Sequence, residues 1–346
     1  MNKTIILLIA LLLFSCSNKP YEITTVNGVK TIRNFKNDTV KEIKLSSEIS
    51  NDSLSYAASF DFDRDGNLYI LDRGNNNIVK FNSEGKYIKS FIKTGNGPGE
   101  VESIGFFSIA NDRIVVIDRL KKRYLYYSLD GDFINSIESE NFVAFSKLNS
   151  QGLLGLSYKI EKKDKRYLDI SLIYDRKGFD SKSIFSTGMK VLDKNYVEFD
   201  NTPIFDLSDD IIAVYERSRD RFKVEVFDNK GERIYNFSNN FTKKKLSKKD
   251  IKSLKKRYPH FNLSSEYIFS GYGIVIDDLN RVWALMKFGD KFSLSCYKDG
   301  IFLFKTSLFD IKDFSMFDIT EKLKVWNNKI YLADSNSGKV LVYDLE

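Results

Sequence analysis

Histidine is almost absent from this chain, and its scarcity limits the chemistry that the protein can perform. The 346 residues include one histidine, His260, and two cysteines, Cys16 and Cys296. A zinc site with several histidine ligands is therefore excluded. A Ser-His-Asp triad would need His260, and the sequence contains no Gly-x-Ser-x-Gly elbow to expose a nucleophilic serine.

Long hydrophobic runs are also missing, apart from one near the N-terminus. Ile5 to Phe14 is a ten-residue apolar run that follows Lys3, and a membrane-spanning helix needs roughly 20 such residues. The run therefore predicts an export signal. Leu13-Phe14-Ser15-Cys16 resembles the lipobox of bacterial lipoproteins, which implies removal of residues 1–15 and lipidation of Cys16. Cleavage of an ordinary signal peptide nearby is the alternative.

This processing predicts where the protein is located. More than one acyl chain gives stable anchoring, so we expect a water-soluble body held by lipid at Cys16 in the cell envelope, on the periplasmic or outer-membrane face. Residues 16–37 are expected to form a flexible tether. Cys296 then remains alone, and its alternation with Phe292 and Leu294 predicts a small buried hydrophobe rather than a reactive thiol.

The formal net charge of +7 is concentrated in one short segment. Residues 243–257 carry nine Lys or Arg against one acid, Asp250, so the rest of the mature chain is slightly acidic. General affinity for nucleic acid would require a wider basic surface. Nucleic acid is therefore not a predicted partner. The predicted export also argues against it, because an exported protein is separated from the nucleic acid of the cell.

A loosely repeated unit runs through most of the chain. The segments GNLYILDRGNNNIVKFNSEGKYIKSF and NDRIVVIDRLKKRYLYYSLDGDFINSI both contain an apolar strand, a charged turn, an alternating strand, a glycine turn and another alternating strand. The pattern recurs more loosely to give six units, and an apolar stretch before each unit supplies a fourth strand. Such spacing predicts an all-β protein, a six-bladed β-propeller of four-stranded antiparallel blades.

The last unit lacks its outer strand. It ends with KVLVYDLE at Glu346, after its third strand. The predicted source of the missing strand is Asp38–Ile49, which alternates apolar and polar residues. Pairing of the two ends would close the ring over residues 38–346 and remove its exposed edges. A sandwich of irregular length is the competing architecture, but it would not explain a six-fold repeat.

The first unit resembles the NHL repeat. Leu68–Glu100 has an acidic residue after its second strand, an asparagine-rich turn and a Gly-Pro-Gly ending. Together with the lipobox, these features make the chain similar to the six-bladed propeller lipoproteins of Gram-negative bacteria, with NHL-repeat-like or TolB-like propellers. The resemblance implies a fold and export, and it carries over no common enzymatic activity.

One insertion interrupts the repeat between units four and five. Over about residues 246–259, Ser247 and Asp250 have the spacing of a helix capping box, and Pro259 follows an apolar stripe. We therefore predict a short helix that packs on the propeller. The alternative is a docking element for acidic partners or anionic lipid headgroups.

The turns between second and third strands emerge at the same end of the channel as the connections between blades, which we call the rim. Propeller ligands usually enter at such a rim. Aligned second strands, and the connector Gly95–Glu100, bring a set of side chains to it. The candidate ligand contacts are Asp72, Arg73, Asn96, Glu100, Asp118, Arg119, Tyr158, Tyr215, Glu216, Lys287 and Asp334.

These residues favour binding over catalysis. The rim aspartates are typical acceptors of turn N–H groups, and GNGPGE lacks the Lys-Ser/Thr of a phosphate loop. We expect a binding or scaffolding module for a protein, peptide or glycan partner, with no cofactor. The alternative is a calcium-dependent hydrolase or lactonase in which Asp72, Asp118 and Asp334 provide oxygen ligands.

Overall fold

The structure is a computed structural model of the chain. It describes residues 19–138, 144–150, 152–162, 166–176, 182–187, 190–191, 202–243, 245–246, 248, 251–252, 267, 269–288, 291–311, 319 and 321–346. The predicted signal segment and Cys16 lie outside these residues. Within them, no helix has the length and apolar character needed to cross a membrane.

The described part of the chain starts with a hairpin and two further strands. The turn Asn27-Gly28 has positive φ at both residues, 50° and 78°, which suits a two-residue hairpin turn. The strands are β1 (Tyr21–Val26), β2 (Val29–Asn34), β3 (Val40–Lys41) and β4 (Ile43–Ser50).

The first half of the ring consists of three antiparallel sheets, which we number as blades one to three. Blade one contains β5 (Ala57–Phe62), β6 (Leu68–Asp72), β7 (Asn77–Phe81) and β8 (Tyr87–Phe91). A two-stranded parallel pair follows, β9 (Lys93–Thr94) and β10 (Glu100–Val101). Blade two contains β11 (Ile104–Ala110), β12 (Arg113–Asp118), β13 (Arg123–Ser128) and β14 (Phe133–Glu138). Blade three contains β15 (Ala144–Leu148), β16 (Gly152–Lys162), β17 (Arg166–Arg176), β18 (Lys182–Ser186) and β19 (Lys190–Val191).

Blades four to six complete the ring. Blade four contains β20 (Pro203–Leu207), β21 (Ile211–Glu216), β22 (Phe222–Asp228) and β23 (Arg233–Asn239). Blade five contains β24 (Gly273–Ile276), β25 (Val282–Phe288), β26 (Lys291–Lys298) and β27 (Ile301–Thr306). Blade six contains β28 (Leu323–Trp326), β29 (Lys329–Asp334) and β30 (Lys339–Leu345), with a 3₁₀ turn at Ser335–Ser337.

The predicted closure of the ring is confirmed. β4 pairs antiparallel with β30, from Ser50 opposite Lys339 to Ile43 opposite Leu345, so an N-terminal strand supplies the outer strand of blade six. The short strand β3 pairs in parallel with β27, the outer strand of blade five. The two ends of the chain are thereby held together through backbone hydrogen bonds.

Apolar side chains pack between the blades rather than around one centre. The described residues form six hydrophobic clusters, and each cluster joins two neighbouring blades. Trp283, for example, packs with Leu323 and Val325 of the next blade. Cys296 is fully buried in that cluster and is not part of a disulfide, as its alternation predicted, and burial raises the pKa of its thiol to about 12.

The predicted tether differs from the structure. Residues 21–34 form a β-hairpin, and its strand β2 pairs in parallel with β23. The sheet of blade four therefore has six strands. The side chain of Ile32, in β2, is fully buried against blade five. The prediction of a flexible tether is therefore wrong for residues 21–34. The hairpin is held in place by the buried Ile32 side chain and by strand pairing with the edge of blade four.

The predicted helical insertion is not supported by the structure. Of residues 246–259, it describes Leu246, Lys248, Ile251 and Lys252, and no helix of that length is among the described elements. The remaining residues of the insertion lie outside the description. The helix therefore stays a prediction.

Candidate functional site

The rim has the geometry that the repeat predicts. Asp72, at the end of β6, accepts hydrogen bonds from the backbone N–H groups of Ser55 and Tyr56, both at 2.9 Å. These two residues connect the closing strand to β5. The second-to-third turn and the connection between blades therefore meet at one end of the channel.

The rim aspartates have structural roles. Asp72 is fully buried and also accepts from the Gly74 N–H at 3.0 Å and the Asn75 side-chain amide at 2.7 Å. Asp118 is fully buried and accepts from the backbone N–H groups of Glu102 and Lys121, both at 3.4 Å, and from Arg123 Nε at 3.3 Å. Asp334 is also buried, before the 3₁₀ turn that ends at Ser337. The turn-acceptor interpretation accounts for Asp72 and Asp118.

The calcium alternative gains no geometric support from these contacts. The carboxylate oxygens of Asp72 and Asp118 point at N–H donors, whereas calcium needs six to eight oxygen ligands. Among the residues that the structure describes, no group of three or more His, Cys, Asp or Glu side chains is placed to hold a metal ion.

Two more rim candidates also stabilise their own surroundings. The fully buried Tyr215 hydroxyl is 2.8 Å from Ser270 Oγ, and burial raises its pKa. Glu100 folds back to accept the Gly97 N–H at 2.8 Å, which fixes the GNGPGE connector. Both contacts explain these side chains without a ligand.

The other rim candidates are not as deeply buried in internal hydrogen-bond networks. Glu216 forms a 3.5 Å ion pair with Arg221, and Asn96 accepts a hydrogen bond from Lys121. Lys287 is half-buried in β25. Tyr158 belongs to β16, and its side chain lies outside the description.

Arg73 and Arg119 are exposed and lie against the same residue, Gly105. Arg73 donates to the Gly105 carbonyl at 3.3 Å, and a Cβ atom at Gly105 would come within 2.2 Å of Arg119 Cγ. Blades one and two thus bring two cationic side chains together. The rim connectors over 139–143, 192–201, 253–266 and 312–318 lie outside the described residues.

The opposite end of the channel holds a cavity that the sequence did not predict. Its volume is about 350 Å³, and every blade contributes the end of its innermost strand or the turn that follows. We call this opening the mouth. It is built from first-to-second-strand turns, so it faces away from the rim.

Two largely buried ion pairs form the inner wall of this cavity. Lys147 Nζ lies 2.6 Å from Asp206 in blades three and four, and Lys324 Nζ lies 3.2 Å from Asp61 in blades six and one. Each aspartate then accepts a backbone N–H of the next blade: Asp206 from Ile276 at 2.7 Å, and Asp61 from Ile109 at 3.0 Å. The arrangement therefore repeats after three blades, as an approximate two-fold symmetry about the channel.

The two ion pairs also influence each other electrostatically. Burial opposes ionisation of Asp206, but the ammonium groups of Lys147 and Lys324 and the hydrogen bonds hold its pKa below the usual value. Burial likewise opposes the charge on Lys324, but Asp61 and Asp206 raise its pKa. Asp206 and Lys324 are therefore charged at neutral pH. The two aspartates and two lysines give this wall a formal net charge of zero.

The outer part of the mouth is acidic. Exposed aspartates follow the innermost strands of three blades: Asp112, Asp209, Asp210 and Asp278. One exposed arginine, Arg64 of blade one, reaches across the opening to within 3.9 Å of Asp209 in the opposite blade four. Four exposed carboxylates thus face one guanidinium over a neutral inner wall.

Hydrogen bonds between blades position three of these four aspartates. Asp209 accepts the Ser150 N–H at 2.7 Å, and Asp210 accepts from the Asn280 side chain at 2.6 Å. Asp278 accepts the Asn327 N–H at 3.1 Å. Neighbouring blades therefore hold the carboxylates in place, which lowers the cost of ordering them when a ligand binds.

Comparison with known proteins identifies the family. A family described as a 6-bladed beta-propeller, DUF5128, matches residues 63–272. The chain belongs to this family. A search of curated proteins found no match.

Solved structures share the fold of this DUF5128 protein. A DUF4221 family member from Bacteroides vulgatus superposes with a TM-score of 0.56 at 13% identity, covering 90% of this chain and 99% of that chain. A second structure, of a protein from Bacteroides fragilis that is predicted to be exported, superposes with a TM-score of 0.50 at 14% identity. The match covers 91% of this chain and 99% of that chain. At such identities the likeness concerns the fold alone.

Charged residues in the innermost strands are the sequence feature that indicates the mouth of this DUF5128 propeller. Asp61 in SFDF, Asp206 in IFDL and Lys324 in LKVW each place one charge inside an otherwise apolar innermost strand. A charge in such a strand has either a buried partner or a water-filled channel beside it. The alignment of second strands did not include these positions.

Proposed function

We propose that this DUF5128 propeller is an exported, lipid-anchored binding module that holds a basic protein or peptide partner at its mouth. The observation that carries the proposal is the set of four exposed aspartates, three of them positioned by neighbouring blades, which Arg64 alone opposes among the exposed lining residues that the structure describes. A cleft with one sign of charge concentrates ligands of the other sign and raises their rate of association.

Arg64 indicates how the partner is held. Its guanidinium spans the opening to Asp209 with both side chains largely exposed, so the contact is screened and weak. A lysine or arginine of the partner takes the place of Arg64 beside Asp209. The neutral inner wall of paired charges then sets how deeply that side chain enters.

The rim provides a second candidate surface. Arg73 and Arg119 are exposed and lie together at Gly105, so they favour an anionic partner such as an acidic glycan or peptide. Several rim candidates already make hydrogen bonds within the protein, so the mouth is favoured as the binding site. The two surfaces differ in sign of charge, and one experiment therefore separates them.

Binding of short peptides to the mouth can be measured by calorimetry. A Lys-rich peptide is expected to bind, and its Glu-substituted counterpart is not. Asp209→Asn with Asp210→Asn keeps an acceptor oxygen at each position and removes two charges, so affinity for the Lys-rich peptide should fall about tenfold. The matched control is Arg73→Ala with Arg119→Ala, which should leave this affinity unchanged.

Two results would contradict the mouth as the binding site. One is equal binding of the two peptides, which would show that charge does not select the ligand. The other is a loss of affinity in the Arg73 and Arg119 control alone, which would place the site at the rim.

Lipidation of Cys16 is tested separately. Replacing Cys16→Ser removes the thiol that carries the acyl chains, so the chain should lose incorporation of labelled palmitate and move from the membrane fraction to the soluble fraction. The matched control, Cys296→Ser, should remain in the membrane fraction. Unchanged membrane attachment of the Cys16 variant would exclude this residue as the anchor.

A further inference from the structure

The chain joins the body of the propeller very soon after Cys16. The Pro20 carbonyl accepts the Phe35 N–H at 2.8 Å, and β1 begins at Tyr21. Pro20 is therefore fixed to the end of β2, at the outer edge of blade four. We call the surface formed by Lys19, Pro20, Arg33, Phe35 and Lys36 the blade-four corner.

Four residue steps separate Pro20 from Cys16. A fully extended chain advances at most about 3.6 Å per residue, so these steps span about 14 Å. We propose that the blade-four corner lies against the headgroups of a lipid bilayer, an inference that rests on the proposed lipidation of Cys16. A tether of this length does not let the corner move away from the membrane surface.

The charge of the corner fits an anionic membrane surface. Lys19, Arg33 and Lys36 are all exposed. Arg33 contacts Asn240, 3.4 Å away, where the basic segment approaches. The described lysines of that segment are also exposed: Lys243, Lys245, Lys248 and Lys252. Among the described residues, the exposed acids nearby are fewer, namely Glu22, Asp38, Asp220 and Asp299, so the corner attracts phosphate headgroups.

Apolar side chains of the corner and of the adjoining edge strand remain in water unless a partner covers them. Phe35 is 42% exposed, and Ile23 and Val26 of β1 are 47% and 55% exposed. β1 is also the outermost strand of its sheet, and an exposed apolar edge favours aggregation. Contact with the interfacial region of a bilayer accommodates apolar and basic side chains together.

This attachment leaves the mouth accessible. β1 and the innermost strand β20 are the two edges of the blade-four sheet, separated by five strand-to-strand steps. At about 4.8 Å per step, the corner lies about 24 Å from the innermost strand. The corner is at the circumference of the ring, so a partner reaches the mouth without crossing the lipid contact.

Fluorescence quenching on vesicles tests this orientation. The full-length lipidated protein is reconstituted into vesicles of phosphatidylcholine and phosphatidylglycerol that contain a nitroxide-labelled headgroup. Lys36→Cys places a fluorophore at the corner, and Lys86→Cys places it on an exposed lysine position of the opposite blade one. Cys296 is buried and Cys16 is acylated, so the new thiol is the one that reacts. Quenching at position 36 should be several-fold stronger than at position 86.

Equal quenching at the two positions, in protein that floats with the vesicles, would overturn the proposed orientation while leaving lipidation intact. Failure of lipidation looks different, because such protein incorporates no palmitate and does not float. As a second variant, Lys19→Glu with Arg33→Glu should reduce quenching at position 36 at least twofold without loss of flotation. Undiminished quenching would overturn the electrostatic part of the proposal.

Discussion

Asp206→Ala is expected to lower the free energy of unfolding by about 3–5 kcal/mol, because it leaves a buried ammonium group without its partner. Asp206 is 2% exposed at its side chain and Lys147 is 17% exposed. The substitution also removes the acceptor for the Ile276 N–H, 2.7 Å away. Chemical denaturation measures the change.

Two variants identify the cause of this loss. Asp206→Leu combined with Lys147→Met removes both charges and keeps most of the volume, so much of the stability should return. Asp61→Ala disrupts the related pair with Lys324, whose side chains are about one-fifth exposed, and should cost less. A double variant as unstable as Asp206→Ala would show that the lost acceptor for the Ile276 N–H, not the unpaired lysine, is responsible.

The dependence on pH provides an independent check. Despite burial, the lysines and hydrogen bonds hold the pKa of Asp206 below its usual value. A carboxyl with a lowered pKa in the folded state stabilises above the unfolded pKa, about 4, and loses this contribution as pH falls through the folded value. The difference between wild type and Asp206→Ala should therefore be constant from about pH 7 to 5 and shrink below about pH 4.

Much of the fold follows from local sequence rules. Alternating strands and glycine turns predicted the blades, and at Gly131 the requirement is explicit: φ is 80° and a Cβ atom would lie 2.5 Å from the Phe91 ring. The unpaired third strand of the last unit correctly predicted closure by β4. The hairpin β1–β2 was missed because it pairs with β23, about 200 residues away along the chain, and such pairing leaves little local signal.

The candidate site was harder to predict. Alignment of the repeats correctly brought Asp72 and Asp118 to one end of the channel, but their short side chains accept N–H groups there. The mouth depends on pairs such as Lys147 and Asp206, which are 59 residues apart. Nothing local in the sequence links those partners, and only closure of the ring brings them together.

Asp72→Ala is expected to lower the free energy of unfolding by about 4 kcal/mol, because several backbone donors lose a charged acceptor at once. Its carboxylate accepts from Ser55 and Tyr56 at 2.9 Å. These residues lie directly after the closing strand β4, so the variant weakens the region where the two ends of the chain meet. Thermal and chemical denaturation both measure the loss.

The neighbouring residue supplies a control. Arg73→Ala removes an exposed side chain and should change stability by less than about 0.5 kcal/mol, while Asp72→Asn keeps one acceptor oxygen and should lose about half as much as Asp72→Ala. The effect of calcium on the melting temperature tests the alternative that Asp72 is a metal ligand. If calcium raised the melting temperature of the wild type and not of a folded Asp72→Ala variant, the carboxylate would be a metal ligand, and the hydrolase alternative would replace its role as a turn acceptor.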